Sequence, residues 1–192
     1  AKKYIRNNLF KYKMITSILA YNKEFVANKG YEPFVTSGKP DLKLAILSCM
    51  DTRLTELLPK ALGLKNGDAK IIKVAGGILL TPYDSVMRSL LVAIYELDCE
   101  EIMVIHHSGC GACHMEADHF LHLMRQHGIT EDALQEAAKQ VNLHQYLDGF
   151  HDTEASVRRT VAGILHHPLV PKNIVVRGFI IDSRTGELTP VD

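Results

Sequence analysis

The stretch "EIMVIHHSGCGACH", residues 101–114, joins a short apolar run to a loop that holds histidines and two cysteines. A run of this length with several β-branched residues is typical of a buried strand. A second junction of the same kind occurs at "LAILSCMDTR", residues 44–53. Both junctions place reactive side chains directly after a strand, where the loops of an open α/β sheet bind ligands. These two segments therefore guide the prediction of both fold and site.

Elsewhere, short apolar runs alternate with longer segments of helical period, the pattern of a parallel sheet covered by helices. The main strands are predicted over residues 43–48, 69–75, 101–106 and 173–181. A turn-rich "DSRTG" precedes a last short run at 187–191, which indicates an antiparallel hairpin. Helices are predicted over 84–97, 115–127, 131–141 and 153–167. We predict an α/β fold with a mostly parallel central β-sheet, flanking helices and an antiparallel C-terminal edge strand.

The composition is that of a globular protein without a charge bias. Of 192 residues, 46% are hydrophobic and 23% are charged, which suits a single domain over 1–192. Lys plus Arg and Asp plus Glu both number 22, so no global field recruits nucleic acid or an anionic membrane. No apolar stretch approaches the roughly 20 residues that span a bilayer. We expect neither a nucleic-acid nor a membrane partner.

The four cysteines are too few and too unevenly spread for a disulfide scaffold. We therefore expect a reducing, cytoplasmic setting, in which the thiols remain available to bind metal. The four positions are Cys49, Cys99, Cys110 and Cys113.

Residues 14–30 are predicted to form a helical arm. Its apolar residues recur at helical spacing and are interrupted by Asn, Lys and Glu, unlike the core of a signal peptide. They are Ile15, Ile18, Leu19 and Phe25. Met14 is a candidate start, which would make residues 1–13 an N-terminal extension. Because little local sequence could cover the apolar face, we expect the arm to pack on a second subunit.

The two junction loops contain a set of residues that suits zinc. Cys49, Asp51 and Arg53 alternate, so an extended chain would project all three to one side. His107 and Cys110 are separated by a Ser-Gly pair that can bend the chain around one ion. If the two strands are neighbours, their loops meet. Cys49, His107 and Cys110 then form a Cys2His set for one Zn²⁺ per chain, with a fourth position for water or for Asp51.

Each of these residues has a simpler interpretation when taken alone. A lone Cys is more often a small buried hydrophobe, and a lone His near a strand end is more often a hydrogen-bonded residue. The "DTR" segment, residues 51–53, is more often a local ion pair or cap. We favour the metal site because both loops carry donor residues immediately after a strand.

The other cysteines and histidines give weaker signals. Cys113 forms a C-x-x-C pair with Cys110, which permits a redox role. We favour the interpretation that Cys113 is a small packed residue, because Cys110 is assigned to the metal site. His106 is expected to point away from His107 into the core or behind the site, and Cys99 receives no function.

A second ion is conceivable on the segment that begins at His114. His114, Asp118 and His122 recur there at helical spacing. We favour a solvated helix face, because exposed polar residues at this spacing are common on helices.

Taken together, "CMDTR" at 49–53 and "HSGC" at 107–110 resemble the motifs of the β-class carbonic anhydrases. The resemblance extends from about Met14 to the last strands and includes "AGG" at 75–77 and "EASV" at 154–157. It implies a β-carbonic anhydrase-like fold and the zinc-dependent, reversible hydration of carbon dioxide to bicarbonate and a proton. It also implies a homodimer or a higher homo-oligomer.

The sequence departs from the family pattern at the rim of the expected pocket. Gly109 stands where the family commonly has a side chain such as Asp, and Gly77 stands where Asn is frequent. Both changes remove polar atoms near the site. The chain has no Trp, so the Trp-containing bicarbonate pocket of some family members cannot form here in that way.

The donor set predicts how the site behaves. Two thiolates and a neutral imidazole cancel the charge of Zn²⁺, so a bound water is harder to ionise than with three imidazoles. Activity should therefore rise on the alkaline side. Asp51 in the fourth position would close the site, whereas a bidentate Asp51–Arg53 pair would free it. We predict that this dyad acts as a gate.

Three alternatives remain open from the sequence. The resemblance also covers hydrolases of carbon disulfide or carbonyl sulfide that use the same metal set. A zinc site closed by Asp51 could be purely structural, in a protein without catalysis. A thiol redox module through Cys110 and Cys113 is the third alternative.

Overall fold

A computed structural model describes residues 13–192. The chain divides into two compact units between Ser37 and Gly38. Most of the expected N-terminal extension, residues 1–12, lies outside the described residues. That residues 1–192 form one domain stays a prediction.

The first unit contains helix α1 (Lys13–Ala27) and a 3₁₀ turn at Glu32–Phe34. Fourteen of the 15 residues of α1 fall within the predicted helical arm at 14–30. In this chain every α1 residue is exposed except the half-buried Phe25. Five aliphatic side chains and one tyrosine of the helix are more than half exposed, namely Met14, Ile15, Ile18, Leu19, Val26 and Tyr21.

The second unit is built on a five-stranded sheet with the order β2-β1-β3-β4-β5. The strands are β1 (Leu44–Cys49), β2 (Ala69–Val74), β3 (Glu101–His107), β4 (Val175–Ile181) and β5 (Leu188–Val191). The first four run parallel, and β5 pairs antiparallel to β4. The predicted strand positions agree with these bounds to within two residues.

Six helices follow in the second unit. They are α2 (Leu54–Ala61), α3 (Ser85–Tyr95), α4 (Ala117–Gln126), α5 (Glu131–Ala138), α6 (Leu143–Leu147) and α7 (Thr153–Leu165). Helices α3, α4, α5 and α7 were predicted from periodicity, whereas α2 and α6 were not. Helix α2 is short and contains Pro59, which removes one backbone donor. None of the helices within residues 13–192 is long and apolar enough to cross a membrane.

Short polar side chains fix where several helices begin. Asp84 accepts a hydrogen bond from the Met87 amide at the start of α3 (2.8 Å), and Asp152 accepts one from the Ala155 amide at the start of α7 (2.8 Å). Thr130 does the same at the start of α5. Such N-caps satisfy amides that have no partner inside the helix and typically contribute about 1 kcal/mol each.

The core lies on both faces of the sheet, as strand alternation requires. Ala45 and Leu47 pack on one face with α3 and α7, and Ile46 packs on the other face with α2. Burying one such aliphatic side chain fully contributes about 1.5–3 kcal/mol. The second face also receives the loops that follow β1 and β3, so the same packing that stabilises the sheet fixes these loops.

Candidate metal centre

The loops after β1 and β3 bring three donor side chains together. The two strands are direct neighbours, with Ser48 opposite Ile105 in parallel register. Cys49 ends β1 and His107 ends β3, and Cys110 follows after a turn. The sulfur atoms of the two cysteines and a ring nitrogen of His107 all lie within 4.8 Å of one another. We call these three residues the Cys2His cluster.

The atoms of the Cys2His cluster fit a zinc ion. Two thiolates on a tetrahedral Zn²⁺, each about 2.3 Å from the metal, lie about 3.8 Å apart. The Cys49 and Cys110 sulfurs are 3.8 Å apart. His107 Nε2 is buried and has no hydrogen-bond partner, as expected for an atom that faces a metal. Within residues 13–192, no other group of three His, Cys, Asp or Glu residues meets this criterion.

The His107 ring is oriented by a hydrogen-bond network that involves the loop after β4. Nδ1 lies 2.9 Å from the Ser108 carbonyl oxygen, so Nδ1 carries the proton and donates it there. Nε2 therefore keeps its lone pair for a metal. The Ser183 hydroxyl donates to the same carbonyl oxygen (3.0 Å), and the Ser183 amide donates to Ser108 Oγ (2.9 Å). Ser183 thus holds the Ser108 carbonyl group in place, and that carbonyl group in turn orients the His107 ring.

The two thiols of the cluster share a hydrogen bond, which shifts their pKa values in opposite directions. The hydrogen bond from Cys110, against the opposing effect of burial, lowers the pKa of Cys49 to about 4. The same hydrogen bond and burial raise the pKa of Cys110. Zinc would bind here as two thiolates, so its binding would release protons from the pair. For His107, burial acts to lower the pKa, but the neighbouring Cys49 sulfur leaves it raised.

Asp51 is engaged by Arg53 rather than by the Cys2His cluster. Arg53 Nε donates to Oδ1 (2.9 Å) and Nη2 donates to Oδ2 (2.7 Å), a bidentate pair. The Arg53 amide also donates to Oδ1 (2.9 Å). These bonds hold the pKa of the Asp51 carboxyl well below its usual range. The carboxylate still borders the cluster, with Oδ2 3.8 Å from His107 Nε2.

The prediction that 49–53 is extended was wrong beyond Cys49. The Leu54 amide donates to the Asp51 carbonyl oxygen (3.1 Å), so the chain turns directly into α2. The Asp51 side chain accepts the Arg53 amide at this turn, a local bond that favours the bend. The turn, and not strand alternation, places Arg53 beside Asp51.

Arg53 also ties the two site loops together. Its Nη2 donates to the Gly109 carbonyl oxygen (2.9 Å). Gly109 has φ +63, a left-handed conformation that glycine adopts at little cost. One guanidinium thus contacts the carboxylate of the first loop and the backbone of the second.

The back of the site is closed by His106 and Gly77. His106 is fully buried, and its Nε2 lies 3.2 Å from the Gly77 carbonyl oxygen, which agrees with its expected place behind the site. Its ring stacks on Phe150, with ring centres 5.4 Å apart. Gly77 has φ +68, and a Cβ there would lie 3.0 Å from the Cys49 amide nitrogen. The glycine at position 77 therefore lets the turn after β2 pass close to the backbone at the end of β1.

The other candidate residues do not join the centre. His114 contacts His151, Asp118 pairs with His144, and His122 pairs with Gln126, so the second-ion hypothesis finds no common site. Cys113 is half-buried against the core face that contains the Cys2His cluster. Cys99 is buried in the opposite core.

Two residues near the site were not predicted from the sequence. Ser183 and Lys73 have no motif that marks them. Lys73 Nζ donates to the Cys49 carbonyl oxygen (3.4 Å), and burial lowers the pKa of Lys73. Only the strand order and register bring these side chains to the site, so no local signal could have identified them.

Fold and site together define a protein with a Cys2His cluster that could hold a metal, at the carboxyl edge of a mostly parallel α/β sheet. Comparison with known proteins gives its relatives. The family model for carbonic anhydrase matches residues 44–188. YvdA of Bacillus subtilis (strain 168), by its name a candidate carbonic anhydrase, is 48% identical over 178 residues, which cover 92% of this chain and 90% of that relative.

A crystal structure shows the same fold. β-Carbonic anhydrase isoform I of Trichomonas vaginalis superposes with a TM-score of 0.81 at 32% identity, and covers 93% of this chain and 97% of its own. A carbon disulfide hydrolase of Acidithiobacillus thiooxidans is more distant, at 29% identity over 157 residues, which cover 77% of this chain and 76% of that relative.

The chain belongs to the β-class carbonic anhydrase family. This confirms the resemblance of the two motifs and the predicted fold class. It also confirms the predicted enzyme class, a carbonate dehydratase, which is a lyase.

Proposed function

We propose that this protein catalyses the zinc-dependent, reversible hydration of carbon dioxide to bicarbonate and a proton. The observation that carries the proposal is the convergence of Cys49, His107 and Cys110, with their donor atoms within 4.8 Å of one another. These three residues would hold one Zn²⁺ per chain. Zinc bound there would lower the pKa of a coordinated water toward about 7 and so supply hydroxide near neutral pH.

The residues around the cluster suit an uncharged substrate. Cys49 and Cys110 belong to a buried apolar cluster with Leu54, Ala112 and Phe150. Such walls exclude bulk water and favour carbon dioxide over an ion. The glycines at 77 and 109 add no polar side chain to this environment.

Asp51 and Arg53 are proposed to control the fourth position. Arg53 holds the Asp51 carboxylate through two side-chain hydrogen bonds, so the carboxylate is kept from acting as a metal ligand. Held in this way, Asp51 can accept a hydrogen bond from the attacking water and orient it. The observed pairing supports an open site over the structural alternative in which Asp51 closes it.

A metal analysis combined with stopped-flow hydration assays over pH tests the proposed function. We expect one zinc per chain and a hydration rate that rises on the alkaline side, since the donor set cancels the charge of Zn²⁺. A protein that binds stoichiometric zinc but does not hydrate carbon dioxide at any pH would favour a structural site. A hydration rate that peaks below pH 7 would contradict the argument from ligand charge.

A second substrate class is suggested by one relative. The Acidithiobacillus thiooxidans protein named carbon disulfide hydrolase shares the fold at lower identity than the carbonic anhydrase relatives. Carbon disulfide and carbonyl sulfide are isosteres of carbon dioxide, so the same centre could attack them. Assaying all three gases with one preparation distinguishes the activities. We expect carbon dioxide to be turned over fastest.

Replacing Ser183 by Ala is expected to weaken zinc binding by about tenfold, the effect typical of residues that orient a metal-bound histidine. The change removes the hydroxyl that holds the Ser108 carbonyl, which in turn orients His107. Zinc affinity is measured by competition with a chromophoric chelator. Ser183→Thr keeps a hydroxyl and should restore part of the affinity.

A matched control is Ser89→Ala, because the Ser89 hydroxyl donates within its own helix, to the Ser85 carbonyl oxygen, away from the Cys2His cluster. It should leave the affinity unchanged. Equal zinc affinity in wild type and in Ser183→Ala would show that this network does not position His107.

We propose that the protein is a homodimer or a higher homo-oligomer in which α1 contacts a second subunit. The support is the apolar surface of α1, where Ile15, Ile18 and Leu19 are each more than half exposed. A helix with this much exposed apolar area is typical of an interaction surface. Sedimentation velocity measures the state, and a monomer at micromolar concentration would refute the proposal.

A cytoplasmic location is also proposed. All four cysteines are free thiols in the structure, as expected in a reducing compartment. Fractionation of cells that produce the protein, with detection by antibody, tests this. Recovery mainly outside the cytoplasmic fraction would contradict it.

A further inference from the structure

The proposed centre leaves one cysteine beside it without a role. Cys113 ends a four-residue turn that begins at the zinc-ligand candidate Cys110, and the Cys113 amide donates to the Cys110 carbonyl oxygen (3.1 Å). A turn of this kind holds its first and fourth Cα atoms within about 7 Å. Disulfides usually bridge Cα atoms about 4.4–6.8 Å apart. The backbone thus already holds the two cysteines near bonding distance.

The backbone around this turn is anchored from outside. The Phe150 amide donates to the Ala112 carbonyl oxygen (3.1 Å), and the His114 amide donates to the Phe150 carbonyl oxygen (2.7 Å). Gly111 is exposed, and nothing lies within 4 Å of where its Cβ would be. The turn is therefore fixed at its C-terminal end and open to solvent on the side of Gly111.

Exposure differs sharply between the cysteines. Cys49, Cys99 and Cys110 are 6%, 2% and 7% exposed, whereas Cys113 is half-buried. Oxidation of cysteine follows the accessibility of the thiol. An oxidant in solution therefore reaches Cys113 before the three buried thiols.

We propose that Cys113 is an oxidation site that forms a disulfide with Cys110 and thereby disables the metal centre. The oxidant class is a peroxide. Hydrogen peroxide oxidises the Cys113 thiolate to a sulfenic acid and releases hydroxide as its O–O bond breaks. The Cys110 sulfur then attacks the sulfenic sulfur, the S–S bond forms and a second hydroxide leaves. The two hydroxides combine with the two thiol protons, so the products are one disulfide and two waters. Peroxide has accepted two electrons.

The consequence for the enzyme rests on the proposed function, in which Cys110 is a zinc ligand. Its sulfur cannot serve as a thiolate ligand while it is bonded to Cys113. Oxidation should therefore release zinc and stop hydration. A dithiol reductant reverses the step, because exchange through a mixed disulfide restores both thiols.

The experiment treats the reduced, zinc-loaded protein with hydrogen peroxide and follows hydration, zinc release and disulfides mapped by mass spectrometry of non-reduced peptides. Wild type should lose activity and zinc together, show a Cys110–Cys113 link and recover with reductant and added zinc. Cys113→Ser should keep the basal activity and be inactivated about tenfold more slowly. Cys99→Ser, the same change at a buried thiol in the opposite core, should behave like wild type.

Two results would overturn the proposal. One is equal inactivation rates in wild type and in Cys113→Ser, with Cys113→Ala as a second variant if the serine protein folds poorly. The other is a Cys49–Cys110 link in place of Cys110–Cys113, since those two sulfurs are only 3.8 Å apart. Failure of the proposed function would give a different result. The reduced wild type would then lack zinc or hydration activity, while peptide mapping would still show whether the disulfide forms.

Discussion

Cys110→Ser is expected to yield a folded protein without stoichiometric zinc and without hydration activity. The thiolate of Cys110 is one of three protein donors, and its sulfur lies 3.8 Å from that of Cys49, the separation that two thiolates adopt on zinc. A serine hydroxyl does not ionise near neutral pH and is a poor ligand for zinc. Structural Zn²⁺ sites in zinc-finger peptides bind with about 10–16 kcal/mol. On that scale, losing one of three protein donors should cost about 4 kcal/mol, roughly a thousandfold in affinity.

The matched control is Cys99→Ser. Cys99 is also buried, at 2% exposure, but it lies in the core on the opposite face of the sheet. The same sulfur-to-oxygen change there should lower stability without changing zinc content. Circular dichroism of both variants checks that the sheet is intact, and metal analysis by plasma emission gives the zinc content. Stoichiometric zinc in Cys110→Ser would show that the ligand assignment is wrong.

The fold could be predicted from the sequence because the strands are short apolar runs bounded by turn residues. The run at 101–106 and the observed β3 (Glu101–His107) nearly coincide, since buried parallel strands are apolar on both faces. Helix α2 was missed because its eight residues include Pro59. Helix α6 has only five residues, too few for a period to be recognised.

The site could be predicted only where a motif marks it. Cys49 and His107 lie at strand ends and Cys110 follows within one turn, and strands β1 and β3 are neighbours although β2 lies between them in sequence. Ser183 could not be found in this way. Its place beside Ser108 depends on the register of β3 with β4, in which His107 lies opposite Ile181. That register is a tertiary feature, and neither local sequence encodes it.

Arg53→Ala is expected to retain zinc but to lower the hydration rate at least about a hundredfold, as loss of a key electrostatic group commonly does. In the structure Arg53 Nε and Nη2 each hold one oxygen of Asp51, at 2.9 and 2.7 Å. Without them the carboxylate is free to turn toward the Cys2His cluster, since its Oδ2 already lies 3.8 Å from His107 Nε2. The fourth position would then be occupied by Asp51 and closed to water.

X-ray absorption at the zinc edge separates this gate from other effects of the mutation. In Arg53→Ala a carboxylate oxygen should join the two sulfurs and one nitrogen around zinc, and Arg53→Ala combined with Asp51→Ala should lack that ligand. Arg88→Ala removes an exposed guanidinium from α3 and should leave both zinc and rate unchanged. Arg53 also bonds the Gly109 carbonyl oxygen, so the mutation could instead loosen the second loop. Loss of zinc in Arg53→Ala would indicate that the mutation acts through the bond to Gly109. Full turnover would refute the gate, because Asp51 would then leave the fourth position open without Arg53.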